Sequence, residues 1–220
     1  MQLARIFYPV KTLGPGNRIG IWTVGCPHSC MNCSNPELWD EDPARNIPIN
    51  RLKQMIGSVT HPIDGVTITG GDPLVQPDEL AELVTWLSQH VSEDILIYTG
   101  YRLEEMQQSK NPSIAGILQH TAVLIDGVYI EEQNDNEPLR GSSNQRVHFL
   151  KEEFRKRYQE VLTGQRTVQT IFQGQDLLAI GIPVKRSADS LSEKLAEHGV
   201  NYTASHVEPP TNKPKRNRIS

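Results

Sequence analysis

Cys26, Cys30 and Cys33 are the only three cysteines in the chain, spaced Cys-x3-Cys-x2-Cys. Thiolates are soft ligands that take one iron each, so three this close can grip three corners of a cuboidal [4Fe–4S] cluster. The fourth iron then has no protein ligand, and an open position on a redox-active cluster is a place for a substrate or cosubstrate. Two other readings use the same residues. A Cys3His zinc site would take His28 as its fourth ligand, but His28 sits inside the first Cys-x3-Cys loop and would have to fold back onto its neighbours' ion. Three buried structural thiols would behave as small hydrophobes, yet Pro27, His28, Ser29, Asn32 and Ser34 do not make an apolar pocket.

Further short motifs appear in order. They are Tyr8-Pro9-Val10, Gly14-Pro15-Gly16, Gly25-Cys26, Asn35-Pro36-Glu37 with Trp39, and Gly70-Gly71-Asp72-Pro73-Leu74, then Tyr98-Thr99-Gly100-Tyr101, Leu124-Ile125-Asp126-Gly127 and Arg140-Gly141-Ser142-Ser143-Asn144-Gln145. With the cysteine spacing, this set resembles the radical S-adenosylmethionine (SAM) superfamily. Within it, the set is similar to the activating proteins of anaerobic ribonucleotide reductase, the smallest glycyl-radical-enzyme activases. The resemblance covers roughly residues 1–150.

The resemblance implies one [4Fe–4S] cluster on Cys26, Cys30 and Cys33, with SAM chelating the unique iron. Reductive cleavage of SAM would give a 5′-deoxyadenosyl radical that abstracts hydrogen from a glycine Cα of a partner glycyl radical enzyme, with a flavodoxin-like protein as electron donor. The cofactors perform the bond cleavage, and the protein positions them. Gly70, Gly71, Asp72 and Pro73 match the motif that contacts the methionyl amino group. The glycines would let backbone approach the ligand, and Asp72 would accept from the ammonium. Thr99 and Asp126 are expected at the ribose or carboxylate side, Asp126 with a monovalent cation as a further role, and Asn144 in a polar SAM-contacting loop. Asn32 stands where many radical SAM loops carry an aromatic residue near adenine. A stand-alone radical SAM enzyme acting on a small molecule or nucleotide would show the same core.

These residues need elements to hold them. Strands are expected over 4–13, Arg18 to Val24, Val66 to Thr69, Ile95 to Tyr98 and Ala122 to Ile125, with helices over Ile49–Val59, from Pro77, over Leu103–Gln108 and over Ile114–Gln119. Leu80, Leu83, Val84, Leu87 and Val91 recur at helical spacing and belong to a core face. Strands alternating with helices indicate parallel βαβ units. The expected fold is therefore α/β, an incomplete parallel (β/α) barrel with its motifs gathered at one rim. The polar stretch 127–146 reads as a lid, a binding surface or a solvated excursion. A strand over Val147–Leu150 and a charged helix over Glu152–Leu162 follow.

The expected organisation is a core over 1–150, an extension over 151–206 and a basic tail over 207–220. The extension reads as a hairpin, Thr167–Phe172 with Leu177–Ile182, and a helix from Ser187 to His198 with Ser187 as N-cap. The hairpin is too apolar to leave in water and should dock on the core.

Composition sets the remaining bounds. The chain has 220 residues, 37% hydrophobic and 22% charged, with a formal net charge of −4. That balance argues against nucleic-acid binding despite the basic tail. No apolar run is long enough to span a bilayer, and the N-terminus lacks the apolar core of a secretory signal. Three clustered cysteines build no disulfide framework, so a reducing, cytoplasmic setting is expected. No cysteine is left over for an auxiliary cluster.

Overall fold

The computed structural model describes residues 1–173 and 176–185. The expected helix from Ser187 and the tail over 207–220 lie outside the described residues. Six strands form one sheet in sequential order: β1 (Leu3–Val10), β2 (Arg18–Thr23), β3 (Gly65–Gly70), β4 (Ile95–Thr99), β5 (Val123–Asp126) and β6 (Arg146–Phe149). Pairing from β2 to β5 is parallel, as βαβ units require.

The two edges depart from an all-parallel reading, since β1 and β6 run antiparallel to β2 and β5. Connection length explains β1: the Gly14-Pro15-Gly16 turn is too short for a crossover, so the chain doubles back. Between β5 and β6 the only helical element is a 3-10 turn at Glu131–Gln133, and this strand too returns antiparallel. The sheet is open, with β1 and β6 at its edges.

Alternation along the strands separates two faces. Ile19, Ile21, Val66, Ile68, Ile95, Ile97 and Leu124 form one core with α1 (Ile49–Gly57), α2 (Pro77–His90), α3 (Leu103–Gln108) and α4 (Pro112–His120). Helix α2 starts with Pro77 in its first turn and Asp78 and Glu79 at the positive end of its dipole, and it buries Leu80, Leu83, Val84 and Leu87. Helix α4 is capped by Asn111, whose side chain accepts from the Ser113 amide at 2.9 Å.

The opposite face carries Trp22, Leu96, Tyr98, Val123 and Ile125. Helix α5 (Arg155–Thr163) covers part of it through Tyr158, whose hydroxyl donates to Asp94 at 2.6 Å. Asp94 also pairs with the fully buried Arg18 at 3.1 Å, tying α5 to the starts of β2 and β4. A hairpin, β7 (Val168–Gln173) and β8 (Asp176–Gly181), covers the rest. Its Ile180 is buried among Val10, Leu13, Trp22, Val24 and Leu38, with Ile171, Leu178 and Ile182 packed alongside. The Thr12 hydroxyl donates to the Ile180 carbonyl at 2.9 Å, and Gln169 Nε2 to the Pro9 carbonyl at 3.0 Å. The hairpin docks, as its apolar content requires. Among the described residues no helix is long and apolar enough to cross a membrane.

Candidate functional site

Parallel strands end together. Thr23 is in register with Gly70, and Thr99 with Asp126, so the cysteine loop and three of the later motifs meet at one rim. The cysteine loop leaves β2 and passes directly against the start of the Gly70-Gly71-Asp72-Pro73 turn. The Gly71 amide donates to the Thr23 carbonyl at 2.9 Å and the Asp72 amide to the Gly25 carbonyl at 2.7 Å. A Cβ on Gly70, whose φ is +118°, would lie 2.3 Å from the Thr23 amide nitrogen, and one on Gly71 would lie 2.3 Å from the Gly25 carbonyl oxygen. The close approach expected here for a ligand is made by the protein's own backbone. Both glycines are needed to seat the cysteine loop.

Asp72 completes that seat. Its carboxylate is 1% exposed and has partners on both oxygens. The Leu74 amide donates to Oδ1 at 3.0 Å, the Gly100 amide donates to Oδ2 at 2.9 Å, and the Thr99 hydroxyl lies 3.0 Å from each. His28 Nε2, reaching back from the cysteine loop, is 2.8 Å from Oδ2. Facing a carboxylate already supplied with donors, Nε2 is the protonated nitrogen. Four donor groups of the protein itself thus surround the Asp72 carboxylate. Thr99 is engaged in the same contacts, and Pro73 is buried in the first turn after Asp72. Gly100 leaves room for the imidazole, since a Cβ there would be 2.4 Å from His28 Cδ2. Tyr101 packs edge-on to the ring at 4.8 Å.

Asp126 is likewise surrounded by donors from the protein. It is fully buried, and it accepts from the Leu103 amide at 2.8 Å, from Arg146 Nε at 3.0 Å and from Arg102 at 3.4 Å. Arg146 Nη2 makes a further ion pair with it, and His148 Nε2 lies 3.1 Å away. Burial pushes its carboxyl up, but the Arg146 and Leu103 hydrogen bonds outweigh that and hold it at about 2.

The thiols are half-buried, and the Asn35 amide donates to Cys33 Sγ at 3.4 Å. Burial, then the nearby Asp72 charge, pushes Cys26 up to about 12, against the pull of the His28 amide. Burial raises Cys30 to about 11 against the Tyr129 amide, and raises Cys33 against the Asn35 amide and the Trp39 indole. Donors aimed at sulfur stabilise a thiolate, and N–H···S bonds tune iron–sulfur clusters. The donor set fits a cluster on these three residues.

Asn32 is exposed with φ +54°, a left-handed residue that asparagine tolerates, and it turns the chain into Cys33. Asn144 donates through Nδ2 to the Val128 carbonyl at 2.8 Å. Its Oδ1 and the Ser29 hydroxyl oxygen are buried without hydrogen-bond partners among the described residues. Sequence reasoning missed Ser29 and Tyr129, and it considered His28 only as a metal ligand. Two signals pointed to them: Ser29 and His28 stand inside the cysteine loop, and Tyr129 follows a strand-end Asp-Gly pair.

Comparison with known proteins bears on the same segment. The family described as a 4Fe-4S single cluster domain matches residues 12–148. The anaerobic ribonucleoside-triphosphate reductase-activating protein of Enterobacteria phage T4 is 33% identical over 151 residues, spanning 67% of this chain and 93% of that protein. The protein of that name from Escherichia coli (strain K12) is 30% identical over 154 residues, spanning 66% of this chain and 97% of that one. The pyruvate formate-lyase-activating enzyme of Staphylococcus aureus (strain USA300) is 33% identical over 82 residues, 35% of this chain and 33% of that one.

Proposed function

The chain belongs to the anaerobic ribonucleoside-triphosphate reductase-activating proteins of the radical SAM superfamily, and from that premise we propose that it installs a glycyl radical on such a reductase. Cys26, Cys30 and Cys33 hold the [4Fe–4S] cluster, which when bound supplies the electron that breaks the S–C5′ bond of SAM and starts hydrogen abstraction from a glycine Cα. A flavodoxin-like protein is the proposed donor of that electron, and the cytoplasm the proposed setting.

The protein's own part is placement. Gly70 and Gly71 admit the backbone of the cysteine loop, while Asp72 fixes that loop through His28 and joins it to the end of β4 through Thr99 and Gly100. The Asn144 amide oxygen and the Ser29 hydroxyl, buried and unpartnered among the described residues, are the polar groups we assign to SAM. The open sheet with antiparallel edges is the proposed incomplete barrel, and a protein loop is a substrate that such an open architecture admits.

The observation that carries this reading is the set of three half-buried thiols on a loop anchored to the Gly-Gly-Asp-Pro turn. Anaerobic reconstitution should give a protein that forms 5′-deoxyadenosine from SAM with a chemical reductant. Mixed with an anaerobic ribonucleotide reductase, it should give the EPR doublet of a glycyl radical. Deoxyadenosine without that doublet would favour a small-molecule substrate, and absence of both would reject the reading.

A further inference from the structure

Asn144 stands at the same rim as the cysteine loop, and a short series of contacts joins the two. His28, inside that loop, packs edge-on against Tyr101 at 4.8 Å. The Tyr101 carbonyl accepts from the Gly127 amide at 3.2 Å. The carbonyl of Val128, next in the chain, accepts from Asn144 Nδ2 at 2.8 Å. A carbonyl oxygen only accepts, so this contact decides which end of the Asn144 amide is nitrogen. The other end, Oδ1, is buried without a partner among the described residues. An amide oxygen is an acceptor only, so whatever satisfies it must carry an N–H or O–H.

Arg102 holds Asn144 in that place. Its Nη1 donates to the Asn144 main-chain carbonyl at 2.9 Å and lies 3.4 Å from Asp126 Oδ1. The guanidinium lies against Gly127, where φ is +100° and a Cβ would be 2.8 Å from Nη1. Arg102 follows the Thr99-Gly100-Tyr101 segment at the end of β4, and Asn144 precedes β6, so the bond joins two strand-end motifs. The side chain of Asn144 is thus held by Val128 and its main chain by Arg102. Other groups hold the residues around it. Gln145 Oε1 accepts from the Gly141 amide at 2.7 Å and the Ser142 amide at 3.2 Å, and its Nε2 donates to the Gly127 carbonyl at 2.8 Å. Further back, Arg166 donates to the carbonyls of Arg140 at 2.5 Å and Gly141 at 3.1 Å. Losing the Arg102 guanidinium would not strip Asp126, which keeps the Leu103 amide at 2.8 Å and Arg146 Nε at 3.0 Å.

We propose that Arg102 is a positioning residue for SAM: it clamps the Asn144 main chain so that the buried amide oxygen is presented to an N–H or O–H group of the cofactor. The inference rests on the activase reading, because it takes SAM to be the ligand at this rim. Arg102 acts through Asn144, since both contacts of its Nη1 end on groups of the protein.

The test uses full-length, anaerobically reconstituted protein and measures SAM affinity by equilibrium dialysis without reductant, at equal iron content. Asn144→Ala should weaken SAM binding by about tenfold, the scale of one lost hydrogen bond. Arg102→Met should weaken it by about threefold or more, again on the scale of a single hydrogen bond. The double variant should bind no more weakly than Asn144→Ala alone, because Arg102 has nothing to act through once the amide is gone. In the apo protein, Arg102→Met should quicken amide exchange at Asn144 and Gln145 and leave exchange in α2 unchanged. If Arg102→Met does not fold, Arg102→Gln, shorter and uncharged, carries the same comparison. Losses that add in the double variant would make Arg102 a separate contact to SAM and overturn the proposal. Unchanged SAM affinity in either folded single variant would overturn it as well. Failure of the wild type to take up iron and sulfide would reject the activase reading itself, and that shows before any variant is compared.

Discussion

His28 Nε2 lies 2.8 Å from Asp72 Oδ2, joining the loop between the first two cysteines to the turn after β3. Around this pair the Thr99 hydroxyl and the Gly100 and Leu74 amides complete a buried hydrogen-bonded carboxylate. A loop of three cysteines holds a fixed shape only if something besides the metal holds it, and this contact does so in the apo protein.

Asp72 therefore acts on the loop before it acts on any ligand. Asp72→Ala leaves several buried donors unpaired and should destabilise the apo protein by about 3 kcal/mol or more. Denaturant unfolding checks the stability, and iron analysis after reconstitution should show a loss of cluster content. Asp72→Asn keeps the shape and should cost about 1–3 kcal/mol. A variant with normal stability and iron content but weakened SAM binding would return Asp72 to a ligand-contact role.

The proposed cluster uses all three thiols. Wild type should take up about four irons and four sulfides per chain. Replacing Cys26, Cys30 or Cys33 by Ala should abolish SAM cleavage and leave the apo circular dichroism spectrum close to wild type. Stoichiometric zinc without visible absorption in anaerobically purified protein would refute this.

Gly70 tests the packing of loop against turn. In Gly70→Ala the new methyl would meet Thr23 backbone at 2.3 and 2.4 Å, on a φ of +118°. Overpacking and left-handed strain together should cost about 3 kcal/mol or more. Gly57→Ala, where a Cβ meets nothing within 4 Å, is the control and should be neutral or slightly stabilising.

The hairpin covers apolar surface that would otherwise face water. Ile180→Ala should cost about 2–5 kcal/mol in thermal or denaturant unfolding. Truncation before Thr167 uncovers Trp22, Val10 and Leu13 and removes the partners of Thr12 and Lys11. That truncation should give aggregating protein without SAM cleavage. A soluble truncated protein with full glycyl-radical formation would show that the hairpin is dispensable.

Asp126 makes a pH prediction. Its carboxyl is held at about 2, below the ordinary 3.8, so its ion pairs contribute fully above pH 3.8 and are lost as pH falls through about 2. Asp126→Asn should be less stable than wild type at neutral pH, and the gap in melting temperature should close as pH is lowered through that window.

Local pattern alone determined much of this protein. The cysteine spacing was enough to propose the ligands, because coordination by three soft thiolates depends on residue type and short-range spacing. Leu80, Leu83, Val84 and Leu87 declared a helix face, and the apolar runs ending in Gly-Gly-Asp-Pro, Thr-Gly and Asp-Gly declared strands with their motifs at one rim. Which groups of the protein surround Asp72 and Asp126 was not legible. A carboxylate's role depends on which donors reach it, and His28, Thr99, Arg102 and Arg146 are brought from other strands and loops only by the folded sheet. The antiparallel edges were equally hidden, since strand direction depends on the path of the connection and not on the strand's own residues. Arg166 is the clearest case. In sequence it is one arginine in a polar linker, and only tertiary structure shows its five donors closing the β5–β6 loop onto the segment after β8.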